Sequence, residues 1–186
     1  MTDINPHTPP PGLGHGRHEP ATARDEHTLF ELVELLFFAY RDFVSDPDEI
    51  LSTYGFGRAH HRVIHFVARN PGMRVARLLD ILRITKQSLG RVLKQLIRDE
   101  FVYQKTGNND RRERRLYLTE KGTDLAQALA RPQLQRIESA LDAMGPEAER
   151  YYRETLYNLI NPSERDFVTL LTQKRRAAAE RQADKP

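Results

Sequence analysis

Residues 75–119, VARLLDILRITKQSLGRVLKQLIRDEFVYQKTGNNDRRERRLYLT, decide the fold of this chain. Apolar residues recur every three or four positions in two short segments, which predicts two helices over residues 74–83 and 86–99. Ile84 and Thr85 form the turn between them, and Thr85 is a suitable N-cap for the second helix. Residues 102–105 and 114–118 then predict two strands joined by a loop of turn-forming residues. The expected order is a helix-turn-helix followed by the hairpin wing of a winged helix.

The positive charge of the protein is concentrated in the same region. Residues 69–115 contain 13 Lys and Arg against 5 Asp and Glu, a net charge of +8. The other residues contain 16 against 21, so the formal net charge of the whole chain is only +3. A local positive field of this kind attracts a polyanion, and a helix pair with a basic hairpin fits DNA.

The second helix has one apolar and one polar side. Its polar side carries neither an acidic nor a bulky apolar residue, which favours contact with a polyanion over plain solvation. The apolar side is predicted to consist of Leu89, Val92, Leu93, Leu96 and Ile97, and the polar side of Gln87, Ser88, Arg91, Lys94, Gln95 and Arg98.

The second helix of a helix-turn-helix enters the major groove with its first turns against the base edges. The predicted base-reading residues are therefore Gln87, Ser88 and Arg91, next to Thr85 and Lys86 at the helix start. Further along the helix, Lys94 and Arg98 are expected to contact phosphates.

The loop of the hairpin supplies a second candidate DNA contact. Arg111 and Arg112 at its tip are expected to enter the minor groove, where a narrow groove enhances the negative potential. Asp110 is expected to orient a neighbouring arginine and not to touch DNA.

The remaining segments predict a helical frame around this unit. Residues 1–24 are rich in Pro and Gly and are expected to be a disordered arm. Residues 25–57 contain a helix with an apolar stripe wide enough to need a second subunit, and Pro47 is expected to end or interrupt it. The winged helix-turn-helix then spans residues 58–118. Residues 119–172 form the C-terminal helices of the dimerisation region, and residues 173–186 form a polar tail that frays. The last helix is expected to start at residues 161–164, Asn-Pro-Ser-Glu, with Asn161 as its cap, proline in its first position and Glu164 in its third.

Composition excludes several other classes of protein. The chain has no cysteine, which removes disulfides and thiolate metal sites. No apolar run approaches the roughly 20 residues of a membrane helix, and the N-terminus lacks the apolar centre of a secretion signal. No catalytic constellation or phosphate-binding glycine loop is present. The expectation is a soluble, cytoplasmic protein that is not an enzyme and requires no cofactor.

The wing carries the pattern D-x-R followed by L-x-L-T-x-x-G, and on this pattern the chain resembles the MarR family of bacterial transcriptional regulators. The matching residues are Asp110, Arg112, Leu116, Leu118, Thr119 and Gly122. The resemblance extends over about residues 29–171. It implies a mainly α fold with a small β-wing, in which a winged helix-turn-helix is joined to a helical dimerisation region.

The resemblance also implies a function. Two subunits would intertwine their first and last helices and bind a pseudo-palindromic operator in double-stranded DNA. A small-molecule effector held between the dimerisation and DNA-binding regions would release the DNA, so a repressor is expected. The candidate effector-binding cleft consists of Tyr40, Tyr54, Arg58, His61 and His65.

Two alternatives remain open at this stage. His61 and His65 are four residues apart on one helix, the spacing of two zinc ligands, so a metal- or haem-sensing regulator is possible. No third ligand is identifiable, and no metal site is assigned. A non-specific architectural DNA-binding protein is the other alternative.

Two residues depart from the family pattern. Gly90 occupies a position where Ser or Thr is usual, and a mid-helix glycine costs up to about 1 kcal/mol, which close approach to a neighbouring helix or to DNA would offset. Glu100 occupies the position of a glycine that ends the second helix. A left-handed cap would be strained for Glu, so the helix is expected either to run on or to end differently.

Overall fold

The computed structural model describes residues 24–107 and 113–183, with residues 173–183 described by their backbone only. The described residues divide into two compact units between Tyr40 and Arg41. Seven helices and three strands occur in the described residues. In chain order they are α1 (Glu26–Ser52), α2 (Arg58–Arg69), β1 (Met73–Arg74), α3 (Val75–Leu82), α4 (Lys86–Arg98), β2 (Val102–Thr106), β3 (Arg114–Leu118), α5 (Glu120–Met144), α6 (Ala148–Leu159) and α7 (Pro162–Ala183).

Helix α1 continues through Pro47, so the expectation that this proline ends the helix is wrong. Proline has no N–H and leaves the carbonyl four residues earlier without its helical partner. That carbonyl belongs to Phe43, and the side-chain amide of Gln133 on α5 donates to it at 3.2 Å. Pro47 itself is buried. A hydrogen bond from another helix therefore replaces the bond that the proline removes.

The core of the second unit lies beneath α4 and the sheet. Its fully buried side chains come from the end of α1 and from α2, α3, α4, β3 and α5. Each such side chain contributes about 1.5–3 kcal/mol by leaving water. They include Leu51, Val63, Ile64, Val67, Leu78, Leu89, Leu96, Leu116 and Leu129.

The sheet has three antiparallel strands in the order β1-β3-β2. The two wing strands occur as predicted, with Tyr103 opposite Tyr117 and Gln104 opposite Leu116. The short first strand was not predicted, and Arg74, which was assigned to a helix, lies in it opposite Arg115. The hydrogen bond from Gly72 N–H to the Leu116 carbonyl, 2.9 Å long, holds this added strand against β3.

The C-terminal region consists of three helices. Helix α7 begins at Pro162, as the Asn-Pro-Ser-Glu sequence predicts, but its backbone is helical as far as Ala183, beyond the expected fraying at residue 173. Within residues 24–107 and 113–183, no helix combines the length and apolar character needed to cross a membrane. Asp110, Arg111, Arg112 and the N-terminal arm as far as residue 23 lie outside the described residues.

Candidate nucleic-acid interface

Helix α4 begins as the sequence predicts. Thr85 has an extended backbone, and its Oγ1 accepts a hydrogen bond from the Ser88 N–H at 3.1 Å. The Thr85 and Ser88 hydroxyls are also 3.0 Å apart and hydrogen-bonded to each other. This side-chain cap satisfies one of the free N–H groups of the first turn and fixes where the helix starts.

The two sides of α4 differ in burial largely as expected. Leu89, Val92, Leu93 and Leu96 are buried, whereas Ile97, assigned to the same apolar side, is 37% exposed. On the opposite side Lys86, Gln87, Arg91, Lys94 and Arg98 are exposed, and Ser88 is partly buried.

Gln95 does not belong to the outward surface. Its amide nitrogen donates to the Gly55 carbonyl at 3.3 Å, and its amide oxygen lies 3.0 Å from His60 Nε2. Gln95 therefore joins α4 to the turn before α2. Helical spacing places it beside Arg91 and Arg98, but it does not reveal a partner 35 residues away.

Ion pairing separates the basic residues of this region into two groups. Arg98 makes two hydrogen bonds to the Asp99 carboxylate, of 2.7 and 3.0 Å, and these bonds lower the pKa of Asp99. Arg83 pairs with Glu164 on α7. Glu113 lies 2.7 Å from Arg115 Nε and 3.8 Å from Arg74 Nη1.

The second group forms no ion pair with any carboxylate that the structure describes. Besides Arg69, Arg77, Lys105 and Arg114, it contains the three residues Lys86, Arg91 and Lys94. All three lie on the exposed side of α4. Three of the four cations on the helix predicted to enter the major groove are therefore not neutralised by a described carboxylate.

An open groove of about 570 Å³ runs between α4 and the base of the wing. Gly90, Lys94 and Ile97 line one side, and Arg74 and Arg114 line the other. A Cβ atom on Gly90 would meet no described atom within 4 Å, so this glycine does not permit close packing against a neighbouring helix. The groove adds Arg74, Gln104 and Arg114 to the candidate interface. Gln104 is opposite Leu116, so the two side chains lie on the same face of the sheet. The alternation of side chains along the predicted strands could have indicated this position from the sequence.

The C-terminal end of α4 does have the left-handed cap, contrary to expectation. Glu100 has φ 62°, and its N–H donates to the Ile97 carbonyl at 3.1 Å. The Phe101 N–H donates to the Leu96 carbonyl at 2.9 Å, and both of these side chains are buried. This pattern is a Schellman motif with its usual apolar contact, formed by Glu where glycine is favoured.

Thr119 and Gly122 fasten this cap to α5. Thr119 Oγ1 donates to the Glu100 carbonyl at 2.6 Å and accepts from the Gly122 N–H at 3.0 Å. A Cβ atom on Gly122 would lie 2.0 Å from the Phe101 carbonyl oxygen, which is impossible without backbone movement. Lys121 Nζ also donates to the Asp99 carbonyl at 2.9 Å. The T-x-x-G part of the wing pattern therefore sets how closely α5 approaches the end of α4.

The base of the wing is described, although its tip is not. The Gly107 N–H donates to the Glu113 carbonyl at 2.9 Å, and Arg114 Nη1 donates to Thr106 Oγ1 at 3.2 Å. These contacts close the hairpin on both sides of residues 108–112. The roles given to Asp110, Arg111 and Arg112 remain predictions.

The three histidines of α2 have different surroundings. His60 Nδ1 accepts from the Gly57 N–H at 3.1 Å, and its ring stacks on Phe56 with the centroids 4.7 Å apart. Together with the Gln95 contact, both ring nitrogens are engaged, so His60 is a structural residue. Burial lowers the pKa of His61, while the nearby Asp48 carboxylate acts in the opposite direction. His65 is exposed and lies with its ring edge-on to Phe66.

The described residues contain no group of three or more His, Cys, Asp or Glu side chains arranged to hold a metal ion. The pair His61 and His65 therefore gains no third ligand in that part of the chain. Nothing in this region favours the metal- or haem-sensing alternative.

The residues predicted for an effector cleft lie in different surroundings, and their role remains a prediction. Tyr54 lines an open cleft of about 510 Å³ with Phe101, Leu125, Ala128 and three charged residues of α5 (Glu120, Lys121 and Asp124). Arg58, His61 and His65 do not line it, and Arg58 Nε instead pairs with Asp48 at 2.8 Å. Tyr40 is exposed on the first part of α1.

Comparisons with known proteins match this chain to transcriptional regulators. A family model described as the MarR family matches residues 54–113. The HTH-type transcriptional regulator PetP of Rhodobacter capsulatus is 46% identical over 139 residues, which cover 75% of this chain and 84% of that protein.

Solved structures share the fold at much lower sequence identity. The MarR family transcription regulator SP03579 has a TM-score of 0.61 at 16% identity, over 78% of this chain and 94% of that one. FabT of Streptococcus pneumoniae, whose structure was solved in complex with DNA, has a TM-score of 0.60 at 19% identity, over 73% and 94% of the two chains.

Proposed function

Because the chain belongs to the MarR family of DNA-binding transcriptional regulators, we propose that it binds a specific pseudo-palindromic operator as a homodimer and represses transcription until a small effector binds. The observation that carries the proposal is the exposed side of α4. Three of its four cations, Lys86, Arg91 and Lys94, have no described carboxylate partner, and Gln87 and Ser88 lie among them. Phosphate contacts position a protein on DNA, whereas side chains such as Gln and Arg distinguish bases in the major groove.

Sequence-specific binding is tested by selecting DNA from a random duplex pool with the full-length protein. We expect enrichment of one motif made of two inverted half-sites, with their centres about one helical turn apart. Equal affinity for the selected duplex and for a scrambled duplex of the same composition would instead identify a non-specific architectural protein.

The proposed homodimer rests on exposed apolar surface. Soluble monomers rarely expose large contiguous apolar patches, and these side chains occur at helical spacing. On α1 they are Leu29, Phe30, Leu32, Val33, Leu36 and Phe37, and on α6 they are Tyr151, Tyr152, Leu156 and Leu159. Phe37 alone is 68% exposed, a large value for a phenylalanine in the middle of a 27-residue helix.

Sedimentation equilibrium tests this assembly directly. The full-length chain is expected to have twice the mass of one subunit at micromolar concentration. Phe37→Lys should shift the equilibrium toward the monomer and weaken DNA binding together with dimerisation. A wild-type protein that remains monomeric while binding the selected operator would refute the homodimer.

The effector is proposed to bind in the cleft formed by Tyr54 and Phe101. Phe101 belongs to the cap of α4, and the other wall of the cleft is α5. A ligand there would contact the end of the DNA-reading helix and could change its orientation, provided that it binds one orientation more tightly than the other. Screening small aromatic compounds for release of bound operator tests the idea, with Tyr54→Ala as the variant that should lose the response. If Tyr54→Ala responds to an active compound as the wild type does, the cleft is not the effector site.

A further inference from the structure

Helix α7 contacts the helix-turn-helix through two side chains on one of its faces. Glu164 pairs with Arg83, the residue that follows α3 and precedes the turn into α4. One helical turn later, the Phe167 ring lies 4.0 Å from the guanidinium carbon of Arg77, which belongs to α3. The sequence predicted Glu164 to be a residue of the α7 cap, but its carboxylate is used in this contact, 81 residues away along the chain.

The start of α7 is itself firmly attached to α6. Arg165 donates to the Ile160 carbonyl at 3.1 Å and to the Asn158 carbonyl at 2.8 Å. Its guanidinium also lies over the Tyr157 ring at 5.5 Å. The corner between α6 and α7 is therefore cross-linked by one side chain, and Glu164 and Phe167 project from a rigid base.

We propose that Glu164 and Phe167 form a clamp that holds the helix-turn-helix in the orientation needed for operator binding. The proposal rests on the proposed function, because it links the apolar face of α6 assigned to the dimer with the helix that supports α4. The clamp places no atom on DNA, so both members are positioning residues. Holding α3 in advance reduces the entropy that is lost when two recognition helices engage one duplex.

The clamp and simple electrostatics predict opposite results for one substitution. Glu164→Gln removes a negative charge and releases Arg83, so electrostatics alone predicts tighter binding to any DNA. The clamp predicts weaker binding to the operator, because the orientation of α3 is no longer fixed. An exposed ion pair and an exposed cation–π contact each correspond to at most about fivefold in an equilibrium constant. Because a dimer contains two copies, we expect Glu164→Gln to lower operator affinity by up to about 25-fold.

The experiment measures affinity of the full-length protein for two probes, the duplex that it selects from a random pool and a scrambled duplex. Asp166→Asn is the matched control, since it removes the same charge from the same helix and Asp166 has no ion pair with the side chains that the structure describes. Glu164→Gln and Phe167→Leu should each weaken binding to the selected duplex without weakening binding to the scrambled duplex. Asp166→Asn should not weaken binding to either probe.

Glu164→Asp provides the rescue, because it keeps the charge and should recover most of the affinity that Glu164→Gln loses. Thermal unfolding and sedimentation of each variant should remain close to wild type, which separates loss of orientation from loss of fold or dimer. Operator affinity of Glu164→Gln equal to or above that of Asp166→Asn would overturn the clamp. A wild-type protein that does not prefer its selected duplex over the scrambled one would overturn the proposed function, and the clamp with it.

Discussion

The two ends of α4 contain similar polar residues and use them in different ways. At the N-terminal end, Lys86 and Arg91 are exposed and form no ion pair with a described carboxylate. At the C-terminal end, Arg98 is bonded to Asp99, and the Asp99 carbonyl accepts from Lys121. One end is therefore available to a ligand, while the other is occupied in holding the helix to α5. We therefore expect DNA binding to depend less on the total number of cations on the helix than on the number without an internal partner.

The largest effect on stability is expected from Gly122→Ala, which disturbs the contact between α5 and the C-terminal end of α4. The added Cβ would overlap the Phe101 carbonyl at 2.0 Å, and backbone must move to relieve it. Overpacking of this kind costs about 3 kcal/mol, so the midpoint of chemical denaturation should fall markedly. Wild-type stability in this variant would mean that the contact between α5 and the cap of α4 is looser than described.

Arg91→Ala and Arg98→Ala compare the two ends directly. Loss of a base-reading arginine costs about 1–3 kcal/mol of discrimination, so Arg91→Ala should weaken operator binding about tenfold or more. Arg98 must share its guanidinium with Asp99, and Arg98→Ala should therefore cost less than Arg91→Ala. Titration of each variant with the selected operator at several salt concentrations measures both the affinity and the number of phosphate contacts. Equal losses for the two variants would show that pairing with Asp99 does not limit Arg98.

Glu100→Gly tests the strain at the occupied end without touching its hydrogen bonds. Glycine adopts a φ of 62° without the Cβ penalty, so unfolding free energy should rise by about 1 kcal/mol. Asp99→Gly is the comparison, because Asp99 has φ −88°, where glycine relieves no strain, and the change also removes the two hydrogen bonds from Arg98. Denaturant titration should give a higher unfolding free energy than wild type for Glu100→Gly and a lower one for Asp99→Gly. If Glu100→Gly is less stable than wild type, the Glu100 side chain makes a contact worth more than the strain.

The two ends of α4 also differ in how much of their structure could be predicted from the sequence. Thr85, Lys86 and Arg91 were assigned correctly to the start of α4 and its exposed side, because helix caps and helical spacing depend on neighbours within a few residues. Gln95 was assigned to the wrong surface, and Glu164 to a cap, because their partners lie far away along the chain. The left-handed cap at Glu100 was judged unfavourable from local preference alone. The Thr119 and Phe101 contacts that stabilise it depend on the packing of α5, which no local pattern contains.

Gly90→Ala is expected to have the smallest effect on stability and distinguishes two explanations of this glycine. Alanine is favoured over glycine within a helix by up to about 1 kcal/mol, and the new methyl group would project into open space. The midpoint temperature of thermal unfolding should therefore rise in Gly90→Ala, whereas Gly122→Ala should be destabilised. If Gly90 is present because DNA approaches the groove beside Lys94, the same variant should lose affinity for the selected operator while gaining stability. Unchanged operator affinity would mean that DNA does not approach position 90 closely enough to meet the added methyl group. The groove between α4 and the wing would then stay open in the complex.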